Sequence, residues 1–123
     1  MTHPSYLLLY VNSPAASGRF YQALLASEPV ESSETFVLFA LATGLKLGLW
    51  SRHTVEPKPS AAGGGAEIGF RLDSDAEVDA THAAWKAQGI PILQEPTVLD
   101  FGRTFVGLDP DGHRLRVYAL AQQ

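Results

Sequence analysis

The sequence predicts an α+β fold made of two β-α-β-β-β modules that form a curved mixed sheet. The first indication is an internal repeat. SYLLLYVNSP at residues 5–14 and AEIGFRLDSD at residues 66–75 each run an apolar strand into Asn-Ser or Asp-Ser and a helix start. The second is that three strand-like segments follow each predicted helix. The third is the run of three glycines at residues 63–65, which marks a junction between the two copies.

Length and composition fit one soluble globular domain. The chain has 123 residues, 46% of them apolar, which is enough for a single core. Nine basic against thirteen acidic residues give a net charge of -4 without long runs of one sign, so we expect neither nucleic acid nor a membrane as a partner. The expected domain covers residues 1–123, with module one at about 5–51, a linker at 52–65 and module two at about 66–120.

The sequence shows no targeting or membrane segment. No apolar stretch approaches the roughly 20 residues that a membrane-spanning helix needs, and the N-terminus lacks the basic region of a signal peptide. We therefore expect a cytoplasmic protein. The absence of cysteine excludes disulfides, thiolate metal sites and cysteine nucleophiles.

Module one is expected to begin with a buried strand at residues 6–11, which form a short apolar run. Ser13 followed by Pro14 predicts a helix start, because the hydroxyl caps free N–H groups and proline has no N–H to leave unpaired. The helix should run to about residue 26. Its covered face should carry Phe20, Ala23, Leu24 and Ser27. Three strands are then expected at residues 30–34, 35–41 and 45–51.

Module two is expected to begin with a strand at residues 67–72. Ser74 or Asp73 should cap a helix that runs to about residue 88, and Gly89 should end it as a left-handed cap. Three further strands are expected at residues 92–95, 103–108 and 114–120, the last two joined by the turn Asp109-Pro110-Asp111-Gly112.

Side chains along a strand alternate between the two faces of a sheet, and four of the predicted strands divide in the same way. One set is uniformly apolar and suits a face covered by helices: Leu7, Leu9, Val11, Leu45, Leu47, Leu49, Ile68, Phe70, Leu72, Leu115, Val117 and Ala119. The other set mixes rings, glycines and charges: Tyr6, Leu8, Tyr10, Lys46, Gly48, Trp50, Glu67, Gly69, Arg71, Arg114, Arg116 and Tyr118. Such a face is typical of a cavity wall, although the same residues could instead cover an open sheet with solvated charges. The recurrence in four strands favours the cavity.

Two segments carry a resemblance to a known family. The segment GRTFVGLDPDGHRLRVY at residues 102–118, together with the paired modules, resembles the vicinal oxygen chelate superfamily, which includes glyoxalase I, ring-cleaving dioxygenases and bleomycin resistance proteins. The segment FVLFALATGLKLGLWSR at residues 36–52 is similar to the small antibiotic-binding members, including phenazine and bleomycin resistance proteins.

The resemblance implies where a metal would be held, and the residues at those positions argue against one. The family's enzymes bind a divalent ion at four inward positions, which fall here on Tyr6, Gly48, Glu67 and Arg116. Only Glu67 is a ready metal ligand, because Tyr6 would have to ionise, glycine has no side chain and arginine is a cation. The four histidines, His3, His53, His82 and His113, are not spaced as ligands of a shared ion. We therefore expect no metal and no other cofactor, and a buried Glu67–Arg116 ion pair in place of the metal.

The function expected from these residues is non-catalytic binding of a planar aromatic antibiotic or similar metabolite, which sequesters the drug and confers resistance. Flat rings on a cavity wall suit such a guest. The expected ligand-binding residues are Tyr6, Tyr10, Trp50, Glu67, Arg71, Phe105, Arg116 and Tyr118, with no catalytic residue. Trp85 differs from these, because it lies seven residues after Val78 on one helical face and is expected in the core.

Two other functions remain open at this stage, together with one further partner. The chain could be a lyase or isomerase of the same superfamily, with Glu67 as general base or with a metal held elsewhere, although an adjacent arginine would make Glu67 a weak base. It could also be a ligand-sensing regulator. The resemblance further implies a homodimer, in which the glycine run at residues 63–65 lets the modules of two chains pair.

Overall fold

Each half of the chain has the order strand, helix and three strands. The computed structural model describes residues 2–122, in two units of which one ends at Ala62 and the other begins at Gly63. The strands hydrogen-bond into two four-stranded mixed sheets, one in each unit. The predicted α+β fold of two β-α-β-β-β modules is therefore confirmed, with a separate sheet in each module.

The first unit contains strands β1 (Tyr6–Val11), β2 (Glu31–Ser32), β3 (Phe36–Ala40) and β4 (Lys46–Ser51) and helix α1 (Pro14–Leu25). Its sheet has the order β1-β4-β3-β2, with β1 parallel to β4 and the other pairs antiparallel. Strand β2 is shorter than the five residues predicted, because only Glu31 and Ser32 pair with β3 at this edge of the sheet.

Helix α1 packs a different face on the sheet from the predicted one. Ser13 caps the helix as predicted, its Oγ accepting a backbone N–H of the first turn. The buried residues are Pro14, Ser17, Gly18 and Tyr21. Ala23 and Ser27 of the predicted face are exposed instead. The observed face includes Tyr21, which is fully buried, and it approaches the sheet at Gly18, where a Cβ would lie only 3.4 Å from the Val37 side chain.

The second unit contains strands β5 (Glu67–Arg71), β6 (Ile92–Leu99), β7 (Gly102–Leu108) and β8 (Arg114–Leu120) and helix α2 (Asp75–Ala87). Its sheet has the order β5-β8-β7-β6, with β5 parallel to β8 and the other pairs antiparallel. The two sheets therefore share one topology, in which the first strand of each unit pairs with the last.

Helix α2 covers its sheet with an aromatic cluster. Ser74 caps the helix and exchanges hydrogen bonds with Glu77, its Oγ accepting the backbone N–H and donating to the carboxylate at 3.2 Å each. Trp85 is buried and meets Phe70 and Phe105 edge to face, at ring distances of 5.8 and 5.3 Å. The prediction that Trp85 lies in the core is confirmed.

Strand β6 continues through Pro96, where the sequence suggested that it would stop. The strand lies at the edge of its sheet and its register to β7 shifts twice between Ile92 and Thr97. A proline removes one donor from the ladder, and edge strands and bulges are the places in a sheet that tolerate this loss. The eight-residue strand is therefore compatible with its proline.

Part of the segment predicted as a linker packs against the first unit. The Arg52 N–H donates to the Val11 carbonyl at 2.9 Å, and the Val55 side chain is buried. Gly63 lies at the other end, against the second unit, where a Cβ would come within 2.9 Å of the His113 ring. None of the helices within residues 2–122 is long and apolar enough to cross a membrane.

Candidate functional site

Each sheet has one face under its helix and an opposite face on which the mixed residues of the sequence pattern lie. In the first unit we name this surface the aromatic face, formed by Tyr6, Leu8, Tyr10, Phe36, Lys46, Gly48 and Trp50. In the second unit we name it the arginine face, formed by Glu67, Gly69, Arg71, Gln94, Thr104, Arg114, Arg116 and Tyr118. The two faces are described separately.

The aromatic face exposes large apolar side chains along β1. Tyr6, Leu8 and Tyr10 keep 47%, 42% and 40% of their surfaces exposed along β1. Trp50 lies directly opposite Tyr10 in the β1–β4 register and meets Phe36 edge to face at 6.0 Å. Three aromatic residues therefore lie side by side on neighbouring strands, which is a surface that a flat ring can stack on.

Gly48 leaves space for two side chains of the aromatic face. A Cβ at this position would lie 2.6 Å from Leu8 Cδ2 and 2.9 Å from the Phe36 ring, so both side chains rest where a side chain of residue 48 would be. Lys46 lies two residues before Gly48 on the same face and places its Nζ 5.5 Å from the centre of the Tyr6 ring. A cation at this distance is attracted to the ring face.

The arginine face is built on a bidentate ion pair. Arg116 donates from Nε to Glu67 Oε1 at 2.7 Å and from Nη2 to Glu67 Oε2 at 2.9 Å. Arg114 adds a third contact, with its Nη2 3.1 Å from Glu67 Oε2. The predicted proximity of Arg116 to Glu67 is confirmed. The predicted burial is wrong, because 31% of the Glu67 side chain and 18% of the Arg116 side chain remain exposed.

The same guanidinium also organises two neutral side chains. Arg116 Nη1 donates to Gln94 Oε1 and to Thr104 Oγ1, each at 3.2 Å. Thr104 is buried and donates its own hydroxyl proton to the Val117 carbonyl at 2.8 Å, which fixes its oxygen as an acceptor for Arg116. Four hydrogen bonds therefore hold Arg116 in one orientation.

These contacts set the protonation of the pair. The hydrogen bond from Arg116, supported by the charges of Arg116 and Arg114 and opposed by partial burial, lowers the pKa of Glu67. The hydrogen bond to Glu67 raises the pKa of Arg116 in turn. Glu67 is therefore ionised at neutral pH and a weak proton acceptor.

An aromatic pair lies beside the arginines. Tyr118 is opposite Arg71 in the β5–β8 register and meets Phe101 edge to face at 5.9 Å. Gly69 leaves the neighbouring position open, since a Cβ there would be in ordinary contact with Tyr118 Cε1 at 3.5 Å. The Tyr118 ring thus lies next to positive charge on β5 and next to a second ring on the β6–β7 turn.

The structure corrects the prediction for Phe105. This residue is fully buried and its ring contacts Trp85 and His82, both on α2, at 5.3 Å each. It pairs with Val117, which belongs to the apolar set, so it faces the helix and not the arginine face. The other predicted binding residues are distributed between the two faces: Tyr6, Tyr10 and Trp50 on the aromatic face, and Glu67, Arg71, Arg116 and Tyr118 on the arginine face.

The side chains at the family's metal positions do not fit a metal ion. Both oxygens of Glu67 are bonded to the Arg116 guanidinium, which cannot itself coordinate an ion. The space above Gly48 is filled by Leu8 and Phe36. No group of three or more His, Asp or Glu side chains within residues 2–122 is arranged to hold a metal.

Three of the four histidines lie in separate pairs with other side chains. His53 Nε2 lies 2.8 Å from Asn12 Oδ1, and His82 Nε2 lies 2.7 Å from a Glu95 carboxylate oxygen. His113 Nδ1 lies 2.9 Å from the buried Asp109 carboxylate, whose hydrogen bond raises the pKa of His113. His3 is exposed near the N-terminus.

Three residues of the two faces, Phe36, Gln94 and Thr104, and the neighbouring Phe101 were absent both from the predicted site and from the mixed set of strand residues. Thr104 lies on the arginine face because it pairs with Tyr118, a register that the sequence does not give. The register of β6 shifts on both sides of Gln94, so alternation along the strand does not predict its face. Phe101 lies in a turn outside the strands. Phe36 pairs with Trp50, but the sequence does not state the register between β3 and β4.

The chain is similar to known proteins over most of its length. The model of the Glyoxalase/Bleomycin resistance protein/Dioxygenase superfamily matches residues 3–117. The Phenazine antibiotic resistance protein EhpR of Enterobacter agglomerans is 33% identical over 122 residues, covering 95% of this chain and 92% of that protein. A protein of Agrobacterium tumefaciens with a solution NMR structure is 61% identical with a TM-score of 0.91, covering 99% of this chain and 100% of that one. A glyoxalase/bleomycin resistance protein/dioxygenase from Nocardioides shares the fold, at 23% identity and a TM-score of 0.83 over 99% of this chain and 87% of its own.

Proposed function

We propose a binding function for this chain from the premise that it belongs to the Glyoxalase/Bleomycin resistance protein/Dioxygenase superfamily. In this proposal the protein binds a planar aromatic antibiotic or similar metabolite without transforming it, and so sequesters it. The resemblance to the phenazine antibiotic resistance protein supports this direction. The observation that carries the proposal is the aromatic face, where Tyr6, Leu8 and Tyr10 are each at least 40% exposed beside Trp50.

The physical basis of binding is ring stacking on the aromatic face. A stacked aromatic pair contributes about 0.5–1.5 kcal/mol beyond the burial of its apolar area. Tyr10 and Trp50 are paired across β1 and β4, and Phe36 holds the Trp50 ring from the side. A pre-formed group of rings loses little side-chain entropy when a ligand binds, so its stacking energy goes into affinity.

Glu67 on the arginine face is poorly suited to act as a general base. A general base works best when its pKa lies near the operating pH. Glu67 departs from that condition, because its pKa is lowered by Arg116 and both its oxygens accept hydrogen bonds. These contacts support binding over a lyase or isomerase reaction in which Glu67 would take a proton.

Equilibrium titration tests the proposal. The purified protein is titrated with phenazine, acridine and quinoxaline while tryptophan fluorescence is recorded, since one of the two tryptophans, Trp50, lies on the aromatic face. We expect saturable quenching and recovery of the unchanged ligand after denaturation. Absence of saturation with all three ring systems, or chemical conversion of the ligand, would contradict the proposal.

A metal assay distinguishes the proposed binding function from that of a metal-dependent enzyme. Protein purified without chelator is analysed for Ni, Zn, Mn and Fe by mass spectrometry. We expect less than stoichiometric metal, because the family's ligand positions hold Gly48 and Arg116. One equivalent of bound metal, together with activity that a chelator abolishes, would favour an enzyme with ligands at other positions.

Assembly, location and the role of binding are also proposed. We infer from the family resemblance that the chain forms a homodimer, and we propose that it acts in the cytoplasm. Sedimentation equilibrium measures the mass directly, and a monomer of 13.3 kDa at all concentrations would contradict the dimer. Deletion of the gene should raise sensitivity to the bound compound if the protein confers resistance. A change in transcription without a change in sensitivity would indicate a sensing role.

A further inference from the structure

The segment that joins the two units is less free than its composition indicates. Residues 52–65 contain two prolines and three consecutive glycines, and such a composition predicts a linker that is mobile throughout. In the structure each end of this segment packs on the unit next to it in sequence, and the middle does not. The mobility expected of the whole segment is therefore confined to part of it.

The first end of the segment is fixed to the first unit by hydrogen bonds and by one buried side chain. The Arg52 N–H donates to the Val11 carbonyl at 2.9 Å, and the Val55 N–H donates to the Ser51 carbonyl at 3.1 Å. Val55 keeps only 2% of its surface exposed, so its side chain is part of the core. We call residues 52–55 the first anchor, because these contacts attach them to the first unit.

The second end is held by close packing of glycine backbone on the turn before β8. A Cβ on Gly63 would lie 2.9 Å from the His113 ring and 3.0 Å from the Asp111 carbonyl oxygen. A contact this close leaves room for a hydrogen atom and not for a methyl group. Gly64 continues with a φ of 119°, in the region that favours glycine. We call residues 63–64 the second anchor.

The turn beneath Gly63 is itself fixed by hydrogen bonds. The Asp109 carboxylate accepts the N–H of Asp111 at 2.9 Å and the N–H of His113 at 2.8 Å, and it lies 2.9 Å from His113 Nδ1. The Gly112 N–H donates to the Asp109 carbonyl at 3.1 Å. The surface on which Gly63 packs could therefore move away from an added side chain only by breaking some of these bonds.

Residues 56–62 lie between the two anchors and lack such restraints. All of them are exposed except Pro59, which is half-buried. No backbone hydrogen bond or ion pair of residues 2–122 includes any of the seven. Exposed backbone with few buried apolar contacts and no hydrogen bonds belongs to the least stable and most mobile parts of a protein.

We propose that residues 52–65 form a strap fixed at both ends, in which Gly63 docks on the β7–β8 turn and only residues 56–62 act as the flexible joint between the units. Gly63 is then required because a side chain would not fit, and the flexibility precedes the glycine run. Any rearrangement of the units, including their exchange between two chains, would have to use the freedom of these seven residues. The inference is independent of ligand binding, so the proposed function and the strap can be tested separately.

Backbone ¹⁵N relaxation of the full-length, unsubstituted protein measures the mobility of each amide. We expect order parameters of about 0.85 at Val55 and Gly63, which is typical of rigid backbone, and below about 0.6 at Lys58, Ser60 and Ala61. A low value at either anchor would overturn the strap, because that end would be free. High values throughout residues 56–62 would overturn the joint.

Two alanine substitutions in the glycine run test the docking of Gly63. Gly63→Ala should lower the order parameters of residues 63 and 64 to below about 0.6, because the added methyl group forces the strap off the turn. Gly65→Ala is the matched control, since a Cβ there has no atom within 4 Å and its φ is not positive. It should leave both order parameters unchanged. Equal values in the two variants would overturn the role of Gly63.

Val55→Ala tests whether the anchors are independent. Loss of the buried methyl groups should lower the order parameters of residues 53–55 and leave that of Gly63 unchanged. A loss of order at both ends in this variant would overturn the assignment of two separate anchors. The methyl resonances of Val117, which is buried in the second unit, show whether each variant is folded. If Gly63→Ala does not fold, the relaxation data for the unsubstituted protein still decide the proposal.

Discussion

The aromatic face and the arginine face lie on equivalent strands of two units with the same topology. They carry different kinds of side chain at equivalent positions. At the first position of the strand pair, Tyr6 stands opposite Lys46 in one unit and Glu67 opposite Arg114 in the other. Both pairs hold a cation, but one places it 5.5 Å from a ring centre and the other 3.1 Å from a carboxylate. A repeated backbone therefore fixes where side chains stand and leaves their interactions to the residue types.

The next position shows the difference in packing. Both units place a glycine there, but on opposite strands: Gly48 faces Leu8 in the first unit, and Gly69 faces Arg116 in the second. In each case the glycine removes one side chain of a directly opposed pair, so the remaining one has room beside its neighbours. The space over Gly48 is occupied by apolar side chains, whereas that beside Gly69 is more open.

The largest expected effect concerns the ring stacking that distinguishes the aromatic face. Trp50→Ala should lower the affinity for phenazine roughly 30-fold, because a central aromatic residue of a binding surface contributes about 2 kcal/mol. Calorimetric titration measures the affinity without depending on the tryptophan signal. Trp85→Phe serves as control, since Trp85 is buried under α2 and its replacement should leave binding unchanged. An unchanged affinity in Trp50→Ala would remove the aromatic face from the proposed function.

The two glycines should differ in their tolerance of a methyl group. Gly48→Ala is expected to lower the free energy of unfolding by about 1–2 kcal/mol, because the new Cβ would lie 2.6 Å from Leu8 Cδ2 and 2.9 Å from the Phe36 ring and must displace both. Gly69→Ala should be neutral or stabilising by up to about 1 kcal/mol, since its nearest contact is 3.5 Å and alanine restricts the unfolded chain. Urea denaturation monitored by circular dichroism measures both values. Equal losses in the two variants would show that the faces are packed alike.

The ion pair of the arginine face should show coupling and a pH dependence. Glu67→Gln and Arg116→Gln, combined in a double-mutant cycle, are expected to give a coupling energy of about 1 kcal/mol at pH 7, because the pair is bidentate but partly exposed. The pKa of Glu67 is lowered by Arg116. The contribution of the ion pair to the free energy of unfolding is therefore complete above the ordinary pKa of a glutamate, and it is lost as the pH falls through the lower pKa of the folded state. Coupling that is equally large at pH 7 and pH 2 would contradict this origin.

The smallest expected effect concerns the turn before the last strand of each unit. Both turns are closed by the same backbone bonds, from Gly44 N–H to the Leu41 carbonyl and from Gly112 N–H to the Asp109 carbonyl, and both glycines have positive φ. Only the second turn adds a side-chain pair, in which the Asp109 carboxylate accepts backbone N–H bonds and contacts His113 at 2.9 Å.

His113→Gln tests that added pair. Hydrogen bonding to Asp109 raises the pKa of His113, so the stabilisation is complete below the ordinary pKa of a histidine and is lost as the pH rises through the higher folded value. The variant should therefore lose about 1 kcal/mol at pH 5.5 and less at pH 9. Denaturation curves at the two pH values measure the difference. The control is Thr43→Ala in the turn of the first unit, where no histidine titrates and the loss should be the same at both pH values.

The elements of the fold could be predicted because their signals are local. Strands β1 and β8 and the starts of both helices lie where the sequence placed them, since apolar runs, Ser13 and Ser74 act within a few residues. The ends of β2 and β6 could not be predicted in the same way. Pairing with β3 shortens one and an edge position lets the other pass Pro96, and both causes lie in distant parts of the chain.

The sequence predicted the residues of the site wherever alternation along a strand decides which face a side chain lies on. Alternation assigned Tyr6, Trp50, Arg71 and Tyr118 to the faces on which they lie. It failed for Phe105, because the register of β7 was not known, and pairing with Val117 turns this ring towards α2. The predicted face of α1 was also wrong, since Ser17, Gly18 and Tyr21 are buried whereas Ala23 and Ser27 are exposed.

The sequence by itself determined the repeat, the order of elements and the chemical character of each strand, because these depend on neighbours along the chain. The tertiary structure decided which side chains meet. It joined Glu67 to Arg116, and Arg116 to Gln94 and Thr104, across strands that lie 12 to 49 residues apart. It also left Arg71 without a carboxylate among residues 2–122 and placed it beside Tyr118. Hydrogen bonds and charges act over a few ångströms in space, so only the registers between strands could fix these partners.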